Sequence, residues 1–327
     1  FYTQGMIDSL TAKDMSEHGC NSLSCWPDCK PWIDNKINFA SWDEYFKMLK
    51  NNKLDYAFIW FIGTKNDGNI VEKSCGKNAI DEMLKGINER VSSGAYPNNF
   101  FITLDEACQN GEVMNALKQL FEFMKQNTPA LKRFGVSLDR NSYAIQHKGI
   151  IDVLSCNGDF VKNSAWCKEQ KIKMYTYTVF SARTTSANAR YNSGFNPWRY
   201  GANGTYGWAL KWYNGHPFND LDGNGISDWG IILPNWCGKP ISSPAWEGWR
   251  EGWDDLRYLA VYEELVKKGK ADAKLLQEIK DFLKEFKESK EVVVGDSVFE
   301  ATLDSANKLI ITREKLIKAI LAANKSK

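Results

Sequence analysis

The run Asp55-Tyr-Ala-Phe-Ile-Trp-Phe-Ile62 decides the fold class, because it is apolar at almost every position. A strand with one solvent-facing side alternates polar and apolar residues, whereas a strand of a parallel sheet is covered on both faces and is apolar throughout. The apolar stretch is also far shorter than the roughly 20 residues needed to span a bilayer. The run therefore predicts a buried strand of a parallel sheet, and it excludes a membrane span.

Similar apolar runs recur along the chain, and amphipathic helical patterns such as Ile80 to Val91 separate them. The further predicted strands are Asn21–Cys25, Asn99–Leu104, Arg133–Leu138, Ile150–Ser155, Ile172–Val179 and Thr205–Leu210, with a partly missing first strand at Phe1–Thr3. Eight strand–helix units over about 250 residues have the size of a (β/α)8 TIM barrel, which is the predicted α/β fold. A doubly wound sheet is the alternative, but no GxGxxG motif follows any strand.

Composition narrows the class of protein. The 42 Lys and Arg residues nearly balance 40 Asp and Glu residues, which argues against a nucleic-acid binder. The hydrophobic fraction of 43% and the charged fraction of 25% are those of a folded domain and exclude disorder. The chain has 13 tryptophans, and indole rings either fill cores or stack on flat ligands such as sugar rings.

Two adjacent carboxylates follow the strand Asn99–Leu104, in the order Asp105-Glu106. Catalytic groups of a TIM barrel lie at the C-terminal ends of its strands. Alternation places Phe101, Thr103 and Asp105 on one face, and Glu106 begins the loop above it. One carboxyl of such a pair can donate a proton while its ionised neighbour stabilises positive charge. In the alternative interpretation, Asp105 only caps the next helix.

The sequence resembles glycoside hydrolase family 123, whose catalytic domain is also called the domain of unknown function 4091 type. The similarity covers about residues 1–262 in matching order and rests on four segments. These are Phe101–Glu106, Met15-Ser-Glu-His-Gly-Cys-Asn-Ser22, Gly204-Thr-Tyr-Gly-Trp208 through Trp212, and Trp246-Glu-Gly-Trp-Arg-Glu-Gly-Trp-Asp-Asp-Leu-Arg-Tyr-Leu259. The chain departs from the family at Ala245, where an Arg usually precedes the Trp-Glu pair.

The resemblance implies a retaining β-N-acetylgalactosaminidase that works by substrate assistance. The 2-acetamido oxygen of the substrate would attack C1, so that no enzyme nucleophile is needed. By this resemblance Glu106 is the general acid/base, and Asp105 orients the acetamido N–H and stabilises the oxazolinium intermediate. Repulsion between neighbouring carboxyl groups separates their pKa values in the direction that this division of roles needs.

Further candidates for substrate binding are polar or aromatic residues near strand ends: Tyr175, Tyr177, Trp208, Trp212, Trp60 and Asn157. A tyrosine can hydrogen-bond the acetamido carbonyl, a tryptophan can stack on the sugar, and Asn157 can bind a hydroxyl. Packing or turn formation is the alternative for each of them. Trp246, Trp249 and Trp253 lie on one helical stripe and are predicted to be core residues.

The segment Asp220-Leu-Asp-Gly-Asn-Gly-Ile-Ser-Asp228 has the spacing of a calcium loop. Asp220, Asp222, Asn224 and Asp228 occupy positions 1, 3, 5 and 9 of an EF-hand-type loop, with glycine at position 6. Position 12 is Ile231, so the bidentate glutamate is absent, and a glycine-rich turn is the alternative interpretation. The reaction itself is predicted to need no cofactor, with calcium in a structural role.

Domain organisation and location are predicted as follows. Residues 1–268 form the catalytic barrel and residues 269–327 form a helical extension packed on it. Of the eight cysteines, Cys20, Cys25 and Cys29 are close enough for a local disulfide, which favours a secreted or cell-surface protein. A zinc site is disfavoured, because the chain has no CxxC pair and its three histidines are far apart.

Two rival functions remain open at this point. One is a retaining glycosidase with a separate carboxylate nucleophile, for which Asp139 after the fifth strand is the candidate. The other is a non-catalytic glycan-binding or surface-structural barrel. In each case the predicted partner is a carbohydrate, whether a glycan or a glycoconjugate.

Overall fold

A computed structural model gives the architecture of the chain. It describes residues 2–3, 6–25, 32–33, 36–61, 77–104, 111–137, 149–180, 184–213, 218, 230–235, 238–286 and 303–325.

Eight strands form a parallel sheet. They are β1 (Tyr2–Thr3), β2 (Ser22–Cys25), β5 (Tyr56–Phe61), β6 (Asn99–Leu104), β7 (Leu131–Ser137), β8 (Val153–Cys156), β9 (Lys173–Val179) and β10 (Gly204–Trp208). Two short antiparallel pairs lie outside this sheet, β3 (Trp32–Ile33) with β4 (Lys36–Ile37), and β11 (Ile232–Leu233) with β12 (Ile241–Ser242).

Helices connect the strands and continue to the C-terminal part of the chain. They are α1 (Ser9–Glu17), α2 (Ala40–Asn51), α3 (Lys77–Ser92), α4 (Gly111–Asn127), α5 (Phe160–Gln170), α6 (Ser186–Arg190), a π-helical turn (Tyr191–Phe195), α7 (Asn196–Arg199), α8 (Pro244–Lys267), α9 (Lys274–Leu283) and α10 (Leu303–Lys325).

The parallel strands pair in the order β1-β2-β5-β6-β7-β8-β9-β10. Residues of β1 and β10 approach within 8 Å, measured between Cα atoms, so the two edges of the sheet curl toward each other. The fold is therefore a (β/α)8 TIM barrel with a short first strand, as predicted. Each predicted strand is present, and its ends differ from the prediction by three residues or fewer.

The inner face of the barrel is aromatic. Alternate residues of β5 to β10 form one buried cluster, hereafter the lumen cluster: Phe58, Phe101, Phe134, Val153, Tyr175, Tyr177, Tyr206 and Ala209, with Tyr56, Val179, Trp208 and Trp212 packed against them. The rings of Phe58 and Phe101 stack with their centroids 4.4 Å apart. The other alternate positions of the same strands, such as Ile59 and Ile102, belong to the outer core beneath the helices. Aromatic rings thus fill a space that branched aliphatic residues dominate in most TIM barrels.

Helix α8 packs against α6 and the π-helical turn through two glycines. A Cβ atom on Gly248 would lie 2.1 Å from the carbonyl oxygen of Ser186. A Cβ atom on Gly252 would lie 1.9 Å from Oγ of Ser193, which itself donates to the carbonyl oxygen of Trp249 at 3.0 Å. The backbones of the two helical segments are therefore in direct contact, which any larger side chain would prevent.

Buried ion pairs hold α10 on α8. Asp255 is fully buried and accepts hydrogen bonds from Nε of Arg190 and Nε of Arg313, both at 2.6 Å. Arg313 also pairs with Glu251, and Nη2 of Arg190 donates to the carbonyl oxygen of Leu309 in α10 at 3.2 Å. These contacts connect the last described helix to the barrel, and the division of the chain at residue 268 stays a prediction.

Helix α1 contacts the first turns of α8, which brings together two of the segments on which the family resemblance rests. His18 stacks on Trp246 with ring centroids 4.6 Å apart, and its Nε2 lies 3.4 Å from a carboxylate oxygen of Glu247. Nε1 of Trp246 donates to Asp14 at 2.9 Å. Trp246 and Trp249 are almost fully buried and Trp253 packs on the same core, so the prediction of a structural stripe is confirmed.

One local prediction is wrong. The spacing Ser41-Trp-Asp-Glu44 suggests a capping box that begins a helix at Ser41. Helix α2 instead begins at Ala40, whose N–H donates to the side-chain oxygen of Asn38 at 2.9 Å. The N-cap position is therefore Phe39, whose side chain makes no capping hydrogen bond, and Ser41 lies inside the first turn, where it is exposed.

Candidate active site

The C-terminal edge of the barrel strands is the candidate active site. All eight strands are parallel, so their carboxyl ends lie at the same end of the barrel, where TIM-barrel enzymes carry their catalytic groups. Described residues at this edge that belong to or pack against the lumen cluster include Tyr177 and Val179 of β9 and Trp208 of β10, and Asn157 follows β8.

The two predicted tyrosines lie on the inner face of β9 at different depths. In the parallel register Tyr175 stands beside Gly204, and Tyr177 stands beside Tyr206, nearer the C-terminal edge. Burial raises the pKa of Tyr175 to about 12, so its hydroxyl stays protonated and can donate a hydrogen bond. Both side chains are 9% exposed. Tyr177 is the better placed of the two to reach a ligand from the edge.

Trp208 and Trp212 form an aromatic surface at the end of β10. Their ring centroids are 5.6 Å apart and their planes are inclined by 47°. Both residues are partly exposed while packing against the lumen cluster. The peptide bond between Trp208 and Ala209 is cis. Half-buried indole faces at the edge of a barrel are suited to stacking on the apolar face of a sugar ring.

Strand β8 and the residue that follows it contribute two buried polar side chains. Val153 belongs to the lumen cluster, and by alternation Ser155 points the same way and is 1% exposed. Asn157 follows the strand and is 3% exposed. In the part of the chain that the structure describes, neither Oγ of Ser155 nor Nδ2 of Asn157 has a hydrogen-bond partner. The sequence analysis includes Asn157 but misses Ser155, because a serine within an apolar strand gives no sign of its missing partner.

Several predicted residues lie outside the described part of the chain. These are Asp105, Glu106, Asp139 and the loop residues Asp220, Asp222, Asn224 and Asp228. Trp60 lies in β5 in register with Thr103, but its side chain is not among those described. The catalytic, calcium and stacking roles given to these residues stay predictions.

No group of three or more His, Cys, Asp or Glu side chains within the described ranges is placed to hold a metal ion.

If the loop from Asp220 to Asp228 binds calcium, chelation with EDTA should lower the melting temperature, because an ion that binds only the folded state stabilises it. Thermal melts with and without added calcium measure this effect. The variant Asp222→Ala is the matched control and should melt at the same temperature under both conditions. An unchanged melt of the unmodified protein would contradict a calcium site.

The described cysteines are buried thiols. Cys20, Cys156 and Cys167 are free, and burial raises the pKa of Cys20 and of Cys167 to about 12. Cys20 therefore takes no part in the predicted local disulfide. A thiol with a raised pKa is a poor nucleophile, so these cysteines are structural residues.

A cleft of about 580 Å³ lies away from the strand ends, between α2 and α3. It is lined by Asp43, Lys47, Lys50, Asn51, Arg90, Gly94, Ala95 and Tyr96. Asp43 accepts hydrogen bonds from Nε of Arg90 at 2.6 Å and from the hydroxyl of Tyr96 at 2.8 Å. The hydrogen bond from Arg90 lowers the pKa of Asp43, so this carboxylate is a fixed ion-pair partner and not a proton donor.

Within the described residues no helix is long and apolar enough to cross a membrane.

Comparison with known proteins gives the fold. No protein-family model and no curated protein matches the chain, so membership of glycoside hydrolase family 123 stays a prediction. A Bacteroides ovatus GH5 xyloglucanase, solved with a XXXG heptasaccharide, is similar with a TM-score of 0.50 and 11% identity, over 76% of this chain and 68% of that one.

Two further similar structures have lower scores. An Ignisphaera aggregans GH53 catalytic domain has a TM-score of 0.47 and 11% identity, over 73% of this chain and 87% of that one. A GH10 xylanase from Bispora sp. MEY-1 has a TM-score of 0.46 and 10% identity, over 77% of this chain and 96% of that one. These neighbours are glycoside hydrolases, and the likeness to the xyloglucanase agrees with the barrel fold described above.

Proposed function

We propose that the chain is a glycoside hydrolase that cleaves β-linked N-acetylhexosamine, N-acetylgalactosamine above all, with retention of configuration. One observation carries the proposal. At the C-terminal edge of a parallel barrel, the half-buried indoles of Trp208 and Trp212 pack against the lumen cluster, and Asn157, which follows β8, is buried with an N–H group that has no partner among the described residues. Aromatic faces combined with a few polar groups are how proteins bind sugars in concave sites.

The proposed catalytic groups are Asp105 and Glu106, which directly follow the last residue of β6 in sequence. Phe101 belongs to the lumen cluster and Thr103 is fully buried two positions further along. Alternation gives the next lumen-facing position to Asp105, which supports its assignment to the acetamido group. Glu106 then donates a proton to the leaving oxygen and later removes one from water.

The remaining proposed contacts surround the sugar. Trp208, Trp212 and Trp60 stack on its apolar face, while Asn157 donates to an oxygen substituent. Tyr177 hydrogen-bonds the acetamido carbonyl, and Tyr175 supports it from a deeper position. The partial exposure of Trp208 and Trp212 supports the stacking role, because a fully buried indole has no free face.

Substrate assistance makes a direct prediction. A 4-nitrophenyl 2-acetamido-2-deoxy-β-D-galactoside should be cleaved at least 100-fold faster than the matching 2-hydroxy galactoside, because only the former carries its own nucleophile. A thiazoline analogue of the oxazolinium intermediate should inhibit the reaction. Initial rates with both glycosides measure the effect. Equal rates would contradict substrate assistance, and the gluco-configured acetamido glycoside serves as the control for configuration.

A retaining glycosidase with Asp139 as nucleophile is the second candidate. It predicts cleavage of 2-hydroxy glycosides and a covalent intermediate that a 2-fluoro glycoside traps on Asp139. A non-catalytic glycan-binding barrel predicts binding without cleavage across the whole panel. Mass spectrometry after incubation with the 2-fluoro sugar, together with the rate comparison, separates the three proposals.

The proposal includes no cofactor for the reaction, a carbohydrate as the binding partner, and export to the cell surface or beyond. Glycans and glycoconjugates are plentiful there. The described thiols add no support for export, since they are reduced. Detection of the protein outside intact cells tests this part independently of activity.

A further inference from the structure

Ser155 and Asn157 break a rule that buried polar groups almost always obey. More than nine-tenths of such groups have a hydrogen-bond partner, because a group without one loses the hydrogen bonds that it makes to water in the unfolded chain. Oγ of Ser155 and Nδ2 of Asn157 are both buried, and both lack a partner in the described structure. Ser155 lies in β8, and Asn157 directly follows the last residue of that strand, so the two unpaired groups are two positions apart in sequence.

The surroundings of this pair point to an uncharged ligand. In register, Ser155 stands beside Tyr175, and the described members of the lumen cluster are Phe, Tyr, Val, Ala and Trp. None of these side chains is charged at neutral pH, because burial holds Tyr175 in its protonated form. A charged ligand group would be desolvated here without a counter-ion.

We propose that Ser155 and Asn157 form a polar subsite on β8 that donates hydrogen bonds to oxygen atoms of an uncharged sugar. This inference rests on the proposed function and assigns Ser155 as a further specificity-determining residue. Asn157 follows the C-terminal end of β8 and Ser155 lies two positions before it, so the subsite is at the end of the barrel where the catalytic groups are proposed. A sugar that lacks these oxygen atoms leaves both donors unpaired and is rejected.

Neighbouring residues provide matched controls for the substitutions. Ser164 is a buried serine whose Oγ donates to the carbonyl oxygen of Tyr200 at 2.7 Å, and Asn163 is a buried asparagine whose Nδ2 donates to the carbonyl oxygen of Gly158 at 3.0 Å. Both lie on α5, away from the lumen cluster. The same chemical change can therefore be made at a paired and at an unpaired position.

The experiment compares Ser155→Ala with Ser164→Ala, and Asn157→Leu with Asn163→Leu, in the full chain. Removing an unpaired donor should leave the melting temperature unchanged or raise it, while the control variants should melt about 2–4 °C lower. For activity we expect the opposite: the subsite variants should lose more activity than the control variants. We expect kcat/KM to fall roughly 10-fold or more in Ser155→Ala and Asn157→Leu, and to stay within about twofold in the controls.

The outcomes separate this inference from the proposed function. If Ser155→Ala and Asn157→Leu lower the melting temperature as much as the controls, or leave kcat/KM unchanged, the subsite proposal is overturned while the proposed hydrolase function stands. Binding of free N-acetylgalactosamine, followed by calorimetry, covers the case without turnover. If the unmodified protein shows no turnover but binds N-acetylgalactosamine, and both variants bind it more weakly, the subsite is upheld and the hydrolase proposal fails. No binding and no hydrolysis by the unmodified protein overturn both.

Discussion

Replacing Glu106 with Gln is expected to lower kcat for an N-acetyl-β-hexosaminide with a poor leaving group by about 10²- to 10⁴-fold. The amide has nearly the shape of the carboxyl group but cannot transfer a proton. A methylumbelliferyl or 2,4-dinitrophenyl glycoside needs less proton donation, because its leaving group is more acidic, so its kcat should fall far less. Initial rates of both substrate types, measured side by side, give the ratio.

The other carboxylates supply the controls for this prediction. Asp105→Asn should slow both substrate types alike, because it weakens the attack of the acetamido oxygen and not the departure of the leaving group. Asp139→Asn should have little effect. Turnover near that of the unmodified protein in Glu106→Gln contradicts the assignment, and a large loss in Asp139→Asn favours the covalent mechanism.

Gly252→Ala is expected to destabilise the fold by about 3 kcal/mol or more, or to prevent folding. In a free helix the same change is favourable by roughly 0.5–1 kcal/mol. Here the new methyl group would lie 1.9 Å from Oγ of Ser193 and 2.4 Å from the carbonyl oxygen of Arg190. The backbone cannot move away locally, because Asp255, one turn later, is paired with Arg190. Urea or thermal unfolding measures the loss.

A matched helix position separates sterics from helix propensity. Ala260 is exposed in the same helix, and Ala260→Gly should cost only about 1 kcal/mol. In the double variant with Ser193→Ala, Gly252→Ala should be partly tolerated, because the nearest atom is gone while the carbonyl of Arg190 remains. A stability equal to that of the unmodified protein in Gly252→Ala would show that α6 and α8 are further apart than described.

Sequence periodicity was sufficient to predict the barrel, because parallel strands are apolar on both faces and helices repeat every three to four residues. The strand Asn99–Leu104 is predicted with both of its ends correct. The strand predicted to begin at Ile150 begins at Val153, since hydrogen bonds to β7 and not hydrophobicity decide where a strand starts. The start of α2 is misplaced for a similar reason: the helix begins one residue before Ser41, with Phe39 at the N-cap and the N–H of Ala40 donating to the side chain of Asn38, a geometry that the capping-box spacing does not contain.

The candidate site is less visible in the sequence. Trp208, Trp212 and Asn157 are recognised because they lie at or just after strand ends, and the structure packs the two tryptophans against the lumen cluster. Ser155 is missed because its significance lies in the absence of a partner, which is a property of its surroundings. Gly248 and Gly252 look like weak points of a helix in sequence, yet they are the positions at which α8 meets α6. The roles of Ser155, Gly248 and Gly252 depend on what segments distant in sequence place around them, and the local sequence does not show this.

The contact between α1 and α8 has a consequence for how the protein is made. Asp14 and Trp246 are 232 positions apart, yet they share a buried hydrogen bond. On the ribosome, Asp14 is therefore translated 232 residues before Trp246. During this interval Ala12 and Met15, which are fully buried in the finished barrel, have nothing to pack against at α8. The buried face of α1 is therefore completed only after the residues around Trp246 have been synthesised.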